Sequence, residues 1–184
     1  MVRKVLVGTL GYHNLRNYSL GPLIQPQLEA LAWPAGVTVD EMNWGPIAIM
    51  QQFEAMDEPY ERVVMVTASA KDRPIGTITH YHWTGGLPSL QSIQDRVGDA
   101  VTGVISIDNL LVIGEYFQMW PQETLIIDVE PGAEEAGETL TAEMAAQVPA
   151  VMAAIEHAAT ADWADLPQLE LLTGEMFELY ESAD

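Results

Sequence analysis

The sequence contains no cysteine. Disulfide bonds, thiolate metal sites, iron–sulfur clusters and cysteine nucleophiles are therefore excluded. No apolar run approaches the roughly 18 residues that a membrane-spanning helix needs. The apolar stretch near the amino terminus, Val5–Val7, is shorter than the hydrophobic segment of a signal peptide, and no small-residue cleavage site follows it. We therefore expect a cytoplasmic protein.

Basic residues are also scarce. The 184 residues include 7 Lys and Arg against 27 Asp and Glu, which gives a formal net charge of −20. All the basic residues lie at or before Arg96, whereas residues 97–184 carry 18 acids. A surface of this charge repels phosphate, which excludes nucleic-acid binding through a basic patch and disfavours an anionic membrane. The chain length and the hydrophobic fraction of 48% are typical of one folded domain.

Apolar, β-branched runs alternate with helical patterns along the chain. This alternation predicts an α/β fold, a three-layer α/β/α sandwich with a mostly parallel sheet plus an edge strand. The predicted strands are Val5–Leu10, Val37–Met42, Arg62–Ala68, Thr124–Val129 and, as the edge strand, Ile75–Trp83. The predicted helices are Pro22–Trp33, Gly45–Met56, Leu90–Val97, Ile107–Trp120 and Leu140–Ala159, the last with Thr139 or Thr141 as its N-cap.

The pattern changes near residue 160. Residues 1–159 carry the alternating strands and helices, and residues 160–184 form an acidic C-terminal extension with apolar positions that include Leu172, Phe177 and Tyr180. We expect this extension to pack back on the domain, and a helix that docks on a partner is the alternative.

Ligands of open α/β sheets bind at the carboxyl ends of the strands. Those ends lead here into the loops 11–21, 67–73 and 130–138 and into the segment before Ile107. The first loop has too few glycines, wrongly spaced, for a dinucleotide-binding or phosphate-binding loop. Function must therefore be sought in other side chains of these loops.

Several short strings occur in a characteristic order between residues 4 and 158. After the first strand come a loop that begins and ends with glycine, a Gly-Pro before the second helix, a Pro-x-Gly-Thr turn and a Glu-Pro after the last strand; these are Gly11–Gly21, Gly45-Pro46, Pro74–Thr77 and Glu130-Pro131. This order resembles that of the nickel–iron hydrogenase maturation endopeptidases, which remove a C-terminal peptide from the hydrogenase large subunit after its metal centre is assembled. The resemblance implies their fold.

The resemblance also implies where the functional positions lie. In that family a carboxylate of the first loop, an Asp at the end of the third strand and a later His bind the nickel of the immature client. The matching positions hold Tyr18 (preceded by Asn17), Thr67 and, nearest to the His, Asp108. A neutral phenol and a hydroxyl are poor ligands for a divalent metal. We therefore expect no metal, no cofactor and no catalytic residue at these positions.

The favoured hypothesis is a protein that keeps the fold to bind a client and has lost the cleavage chemistry, an accessory factor in hydrogenase maturation. The client would be a hydrogenase large subunit or its C-terminal tail, with no nucleic-acid or membrane partner. The predicted client-binding cleft consists of Asn14, Asn17, Tyr18, Thr67 and Asp108.

Two alternatives stay open. An active endopeptidase would recruit other ligands, such as His13 or His80. A small-molecule hydrolase on the same fold is hinted at by Ser69 and Lys71, two residues apart after the third strand. His80 and His82 lie on one face of a predicted strand, but no further zinc ligand lies nearby in sequence, so we interpret them as surface or packing residues.

Overall fold

A sheet of six strands runs through the computed structural model, which describes residues 2–104 and 106–178. The strands are β1 Val5–Thr9, β2 Val37–Glu41, β3 Arg62–Ala68, β4 Ile78–Trp83, β5 Glu123–Val129 and β6 Glu170–Leu172. They lie in the order β2-β1-β3-β5-β4-β6. β1, β2, β3 and β5 are parallel, whereas β4 runs antiparallel to β5 and β6 parallel to β4. The predicted α/β class and mostly parallel sheet are confirmed.

Helices cover both faces of this sheet. They are α1 Leu20–Glu29, α2 Pro46–Glu54, α3 Leu90–Val101, α4 Ile107–Tyr116 and α5 Ala142–Thr160. α1 and α5 pack on one face, and α2, α3 and α4 pack on the other. Among the described residues, no helix has both the length and the apolar character needed to cross a membrane.

The central strands are buried on both sides because of this layering. Along β3, Val64 and Val66 point to the α1/α5 layer, and Val63 and Met65 point to the opposite layer. All four side chains are fully buried. Such continuous burial is why these strands appear in the sequence as uninterrupted apolar runs rather than as alternating ones.

The outer side of β4 is covered by β6, which lies in the predicted C-terminal extension. Trp83 pairs with Leu172 in the parallel β4–β6 register. Leu172 and Phe177 belong to the core cluster under α4. β4 is thus the added antiparallel strand, but the edge position assigned to it from the sequence is wrong, since β6 occupies that edge. The remainder of the extension, residues 179–184 with Tyr180, lies outside the described residues.

Candidate functional site

The strand order opens a crevice above the carboxyl ends of β1 and β3. After β1 the chain crosses to β2 on one side, and after β3 it continues to the other side, so the two loops diverge at this point. Ligands of open α/β sheets bind at such a switch point. A close packing contact shapes the crevice, because a Cβ on Gly21 of α1 would lie 2.2 Å from the carbonyl oxygen of Leu10.

A cavity of about 260 Å³ occupies this crevice. We call it the cleft; it is lined by Leu10, Gly11, Tyr12, Tyr18, Thr67–Lys71 and Ser106–Asp108. The structure thus brings together Tyr18, Thr67 and Asp108, which come from three separate parts of the chain. That they bind a client stays a prediction.

Neither predicted asparagine lines the cleft. Asn17 is buried, its Nδ2 donates to the carbonyl of Pro131 at 2.8 Å, and its Oδ1 accepts from the backbone N–H of Thr141 at 3.0 Å. It therefore ties the first loop to the start of α5. Asn14 is exposed, and its carbonyl accepts from the N–H of Gly137 at 2.9 Å. The side chain of Asn17 is thus used within the fold, and that of Asn14 is exposed outside the cleft; that either binds a client stays a prediction.

The three cleft side chains differ in charge. Burial, reinforced by the negative charges of Glu134 and Glu130, raises the pKa of Tyr18, so its phenol is neutral at physiological pH. Thr67 is a buried, neutral hydroxyl at the end of β3. Asp108 lies in the first turn of α4, where the helix dipole favours a negative charge. The cleft thus presents two hydroxyls and one carboxylate.

This donor set does not fit a nickel ion, which proteins hold with imidazole, thiolate and carboxylate groups. Within residues 2–104 and 106–178, no group of three or more His, Cys, Asp or Glu side chains is arranged to hold a metal. The three predicted positions therefore provide hydrogen bonds and one charge, and no coordination sphere.

A carboxylate that was not predicted from the sequence lies beside the cleft. Asp128 of β5 is buried and accepts from the N–H and the Oγ of Ser69, at 3.0 and 2.6 Å. Burial raises the pKa of Asp128 to about 6; the hydrogen bonds from Ser69 and the charge of Lys71 oppose the rise, and Asp108 adds to it. The available signal was a single acid inside the apolar run of β5.

Comparisons with known proteins agree with this geometry at the level of the fold. No protein-family model matches the sequence, and no curated protein matches it. Solved structures do match. The hydrogenase 2 maturation peptidase from a Thaumarchaeota archaeon is 18% identical with a TM-score of 0.59, over 87% of this chain and 100% of that one. The chain has the maturation-protease fold.

Two Escherichia coli proteins give the same result. The hydrogenase maturating endopeptidase HybD is 16% identical with a TM-score of 0.56, over 83% of this chain and 88% of that one. The endopeptidase HycI is 15% identical with a TM-score of 0.59, over 95% of this chain and 99% of that one. At these identities the likeness concerns the fold alone.

In this maturation-protease fold, the histidines named for the endopeptidase alternative lie outside the cleft. His13 is exposed and its Nε2 lies 3.4 Å from the carboxylate of Glu41. His80 lies on the face of β4 turned to α5, where burial and the charge of His157 lower its pKa. His82 Nε2 lies 3.1 Å from the carbonyl of Gln122. Neither His13 nor His80 is placed to complete a metal site in the cleft.

A second buried acid, Glu130, holds the loop that carries Ser69 and Lys71. Its Oε2 accepts from the backbone N–H groups of Lys71 and Arg73 at 2.7 and 3.2 Å, and its Oε1 accepts from Gly132 at 3.2 Å. Charged acceptors of several backbone N–H groups form strong hydrogen bonds. Glu130 therefore fixes one wall of the cleft.

We expect Glu130→Gln to lower the free energy of unfolding by about 2 kcal/mol, because the amide replaces an acceptor with a donor and leaves a buried N–H unpaired. Urea denaturation measures the loss, and hydrogen exchange locates it at Lys71 and Arg73. The control is Glu138→Gln, at an exposed position, with an expected change within about 0.5 kcal/mol. Equal losses in both variants would contradict this role.

Proposed function

We propose that the protein is a client-binding accessory factor in hydrogenase maturation. In this proposal the cleft binds a hydrogenase large subunit or its C-terminal tail without cleaving it. The observation that carries the proposal is the cleft itself: it lies at the switch point of a maturation-protease fold and is lined by Tyr18, Thr67 and Asp108. These side chains suit peptide binding better than metal binding.

The chemistry of the cleft supports a peptide as the ligand. The hydroxyl of Thr67 can donate to a peptide carbonyl, and that of Tyr18, which donates to the carbonyl of Gly132 at 3.4 Å, can accept from a peptide N–H. Asp108 can accept from an N–H or attract a cationic side chain. Tyrosine offers a large apolar ring together with a polar tip, which is why it is enriched in protein interfaces. The structural neighbours, among them a hydrogenase 2 maturation peptidase, suggest the class of client.

Retention of cleavage is the less favoured role. A metal-dependent endopeptidase needs ligands beyond one carboxylate, and His13 and His80 lie outside the cleft. A binding protein needs only the shape and the hydrogen-bonding groups that are present. We therefore place the protein before or beside the cleavage step, as a factor that holds the large subunit.

We expect Tyr18→Ala and Asp108→Asn each to weaken client binding about tenfold, the loss typical of one side chain in the centre of an interface. The tagged protein is purified from its own host, and the co-purifying hydrogenase large subunit is quantified by mass spectrometry. Matched controls are Tyr116→Ala and Asp57→Asn, at exposed positions outside the cleft. If cleft and control variants retain equal amounts of client, the cleft is not the binding site.

The same preparation separates binding from cleavage. The C-terminus of the large subunit is mapped in cells with and without this gene. An accessory factor leaves the mature C-terminus obtainable without it, through another protease, although at reduced yield. A tail that stays uncleaved only in the deletion strain, and that the purified wild-type protein removes in vitro, would overturn the proposal in favour of an active endopeptidase.

A small-molecule hydrolase is the second candidate, and one contact favours it. The Ser69 hydroxyl lines the cleft and lies 2.6 Å from Asp128 Oδ2, an acceptor placed to receive its proton. A fluorophosphonate probe tests this directly. Covalent labelling that disappears in Ser69→Ala supports a hydrolase, and labelling no stronger than that of the unfolded protein excludes a reactive serine.

A further inference from the structure

An apolar groove adjoins the cleft on the side of α2 and α3. A cavity of about 230 Å³ lies next to the cleft, and a shallower one of about 360 Å³ continues from it. We define the apolar groove by its exposed hydrophobic side chains, Trp44, Ile47, Val97, Val101 and Val104. Trp44 is 69% exposed and Val101 is 82% exposed. Such a group of exposed apolar side chains is typical of a protein-binding surface.

The groove is continuous with the cleft. Leu10 and Ser106 line both the cleft and the first cavity, and Trp44 and Ala100 line both cavities of the groove. A ligand that occupies the cleft can therefore reach the groove by passing Leu10 and Ser106. An extended peptide satisfies this geometry, whereas a compact small molecule would fill only one cavity.

Asn109 gives the groove an unsatisfied hydrogen-bond donor. It lines the first cavity, is only 3% exposed, and its Nδ2 has no partner. The orientation of the amide is fixed, because Oδ1 accepts from Arg96 Nη1 at 3.1 Å and a guanidinium group only donates. Buried donors in native structures nearly always have an acceptor. The backbone carbonyl of a peptide in the first cavity can supply one.

The charge around the groove points to a basic ligand. The segment 97–110, which supplies Val97, Val101, Val104 and Asn109, carries two acids, Asp99 and Asp108, and no Lys or Arg. This charge disfavours a second copy of the chain, whose net charge is also −20. It favours a segment in which Lys or Arg accompanies the apolar side chains.

We propose that the apolar groove binds an extended segment of the client that carries an apolar side chain next to a basic one. The apolar side chain packs against Trp44, which lines both cavities, and against Val101 of the second cavity. The adjacent backbone carbonyl enters the first cavity and accepts from Asn109 Nδ2. The basic side chain lies on the side of the cleft, where Asp108 supplies a carboxylate. The inference rests on the proposed function, since the cleft binds the neighbouring part of the same segment.

The test uses variants for which binding by charge alone and binding in the groove predict opposite changes in peptide affinity. The probe is a fluorescein-labelled peptide, Gly-Ser-Lys-Ile-Leu-Lys-Gly-Ser, with a second peptide in which Glu replaces Lys. Val101→Asp removes an apolar wall and adds a negative charge, so binding by charge alone tightens and groove binding weakens, by about tenfold. Asn109→Asp keeps the oxygen that accepts from Arg96 and removes the Nδ2 donor. Binding by charge alone would again tighten, and binding in the groove would weaken.

Leu171→Asp is the matched control, because it makes the same change at a 63% exposed position on β6. Fluorescence anisotropy gives the dissociation constants for the full chain. The proposal expects weaker binding of the Lys peptide by Val101→Asp and Asn109→Asp, no weakening by Leu171→Asp, and no measurable binding of the Glu peptide. Unchanged or tighter binding by Val101→Asp overturns it.

The client assay is run with the same variants and separates the two proposals. Client retained by the wild type and lost about tenfold by Val101→Asp supports both. Client retained equally by Val101→Asp and the wild type overturns the groove and leaves the proposed function standing. If the wild type retains no hydrogenase subunit, the proposed function fails, and the peptide dissociation constants alone decide whether the groove takes an apolar and basic segment.

Discussion

Replacing Arg62 with methionine is expected to lower the free energy of unfolding by about 4 kcal/mol, because removal of one partner from a buried ionic network leaves the others uncompensated. Arg62 is fully buried at the start of β3. Its Nε donates to Glu123 at 2.7 Å, and its Nη1 donates to the carbonyls of Ala158 and Ala161, both at 2.8 Å. It therefore satisfies carbonyls at the end of α5 that have no partner within the helix.

The surroundings of Arg62 explain why the loss of stability is expected for this arginine and not for its neighbour Arg3. Burial and the charge of Arg3 lower the pKa of Arg62 to about 10, so the group is still charged at neutral pH. Arg3 forms an ion pair with the same Glu123 from a more exposed position. Arg3→Met is thus the matched control, with an expected loss of at most about 1 kcal/mol. Chemical denaturation measures both variants, and a similar small loss in each would mean that Arg62 acts only as a surface charge.

Asp128→Asn is expected to raise the free energy of unfolding by about 3 kcal/mol near pH 7.5 and to change it little near pH 4. The reason is that the pKa of Asp128 is raised from 3.8 to about 6 by burial. Between those values the folded protein holds a proton that the unfolded chain has released, so stability falls as the pH rises. The contribution is fully present below pH 3.8 and is lost as the pH rises through about 6.

The measurement is the pH dependence of stability for the wild type and the variant. Other carboxylates of this acidic chain titrate in the same range, so only the difference between the two curves reports Asp128. Asp57→Asn, at an exposed position, provides the baseline and should follow the wild-type curve. A constant difference between wild type and Asp128→Asn from pH 4 to pH 8 would show that Asp128 does not titrate as described.

Strands and the start of the last helix could be predicted from the sequence because their signals are local. The buried runs identify β1, β3 and β5, and Thr141 is the N-cap of α5, accepting from the N–H of Met144. The end of α4 could not be predicted in this way. The helix stops at Tyr116 because Gln118 adopts a φ of 54°, and Trp120 lies outside it, donating to the carbonyl of Leu111 at 3.0 Å.

The candidate site likewise contains some residues that could be predicted from the sequence and others that could not. Tyr18, Thr67 and Asp108 follow from the resemblance to the maturation endopeptidases, and the rule that ligands bind at the carboxyl ends of strands indicates the loops that hold the first two. Asn17 does not, since the direction of its side chain is set by a 3-10 turn, Arg16–Ser19, rather than by a strand or helix period. Asp128 was missed because its partner Ser69 is 59 residues away in sequence, so nothing local distinguishes it from the rest of its strand.

The pairing of β4 with β6 has a consequence for how the protein is made. Thr84 and Leu172, which are hydrogen-bonded beside these strands, are 88 residues apart in the chain. During synthesis the outer side of β4 stays unpaired until β6 has been translated, with Trp83 still uncovered by Phe177. An open strand edge of this kind can pair with other chains. The acidic segment that supplies β6 thus closes an aggregation-prone edge of the nascent chain.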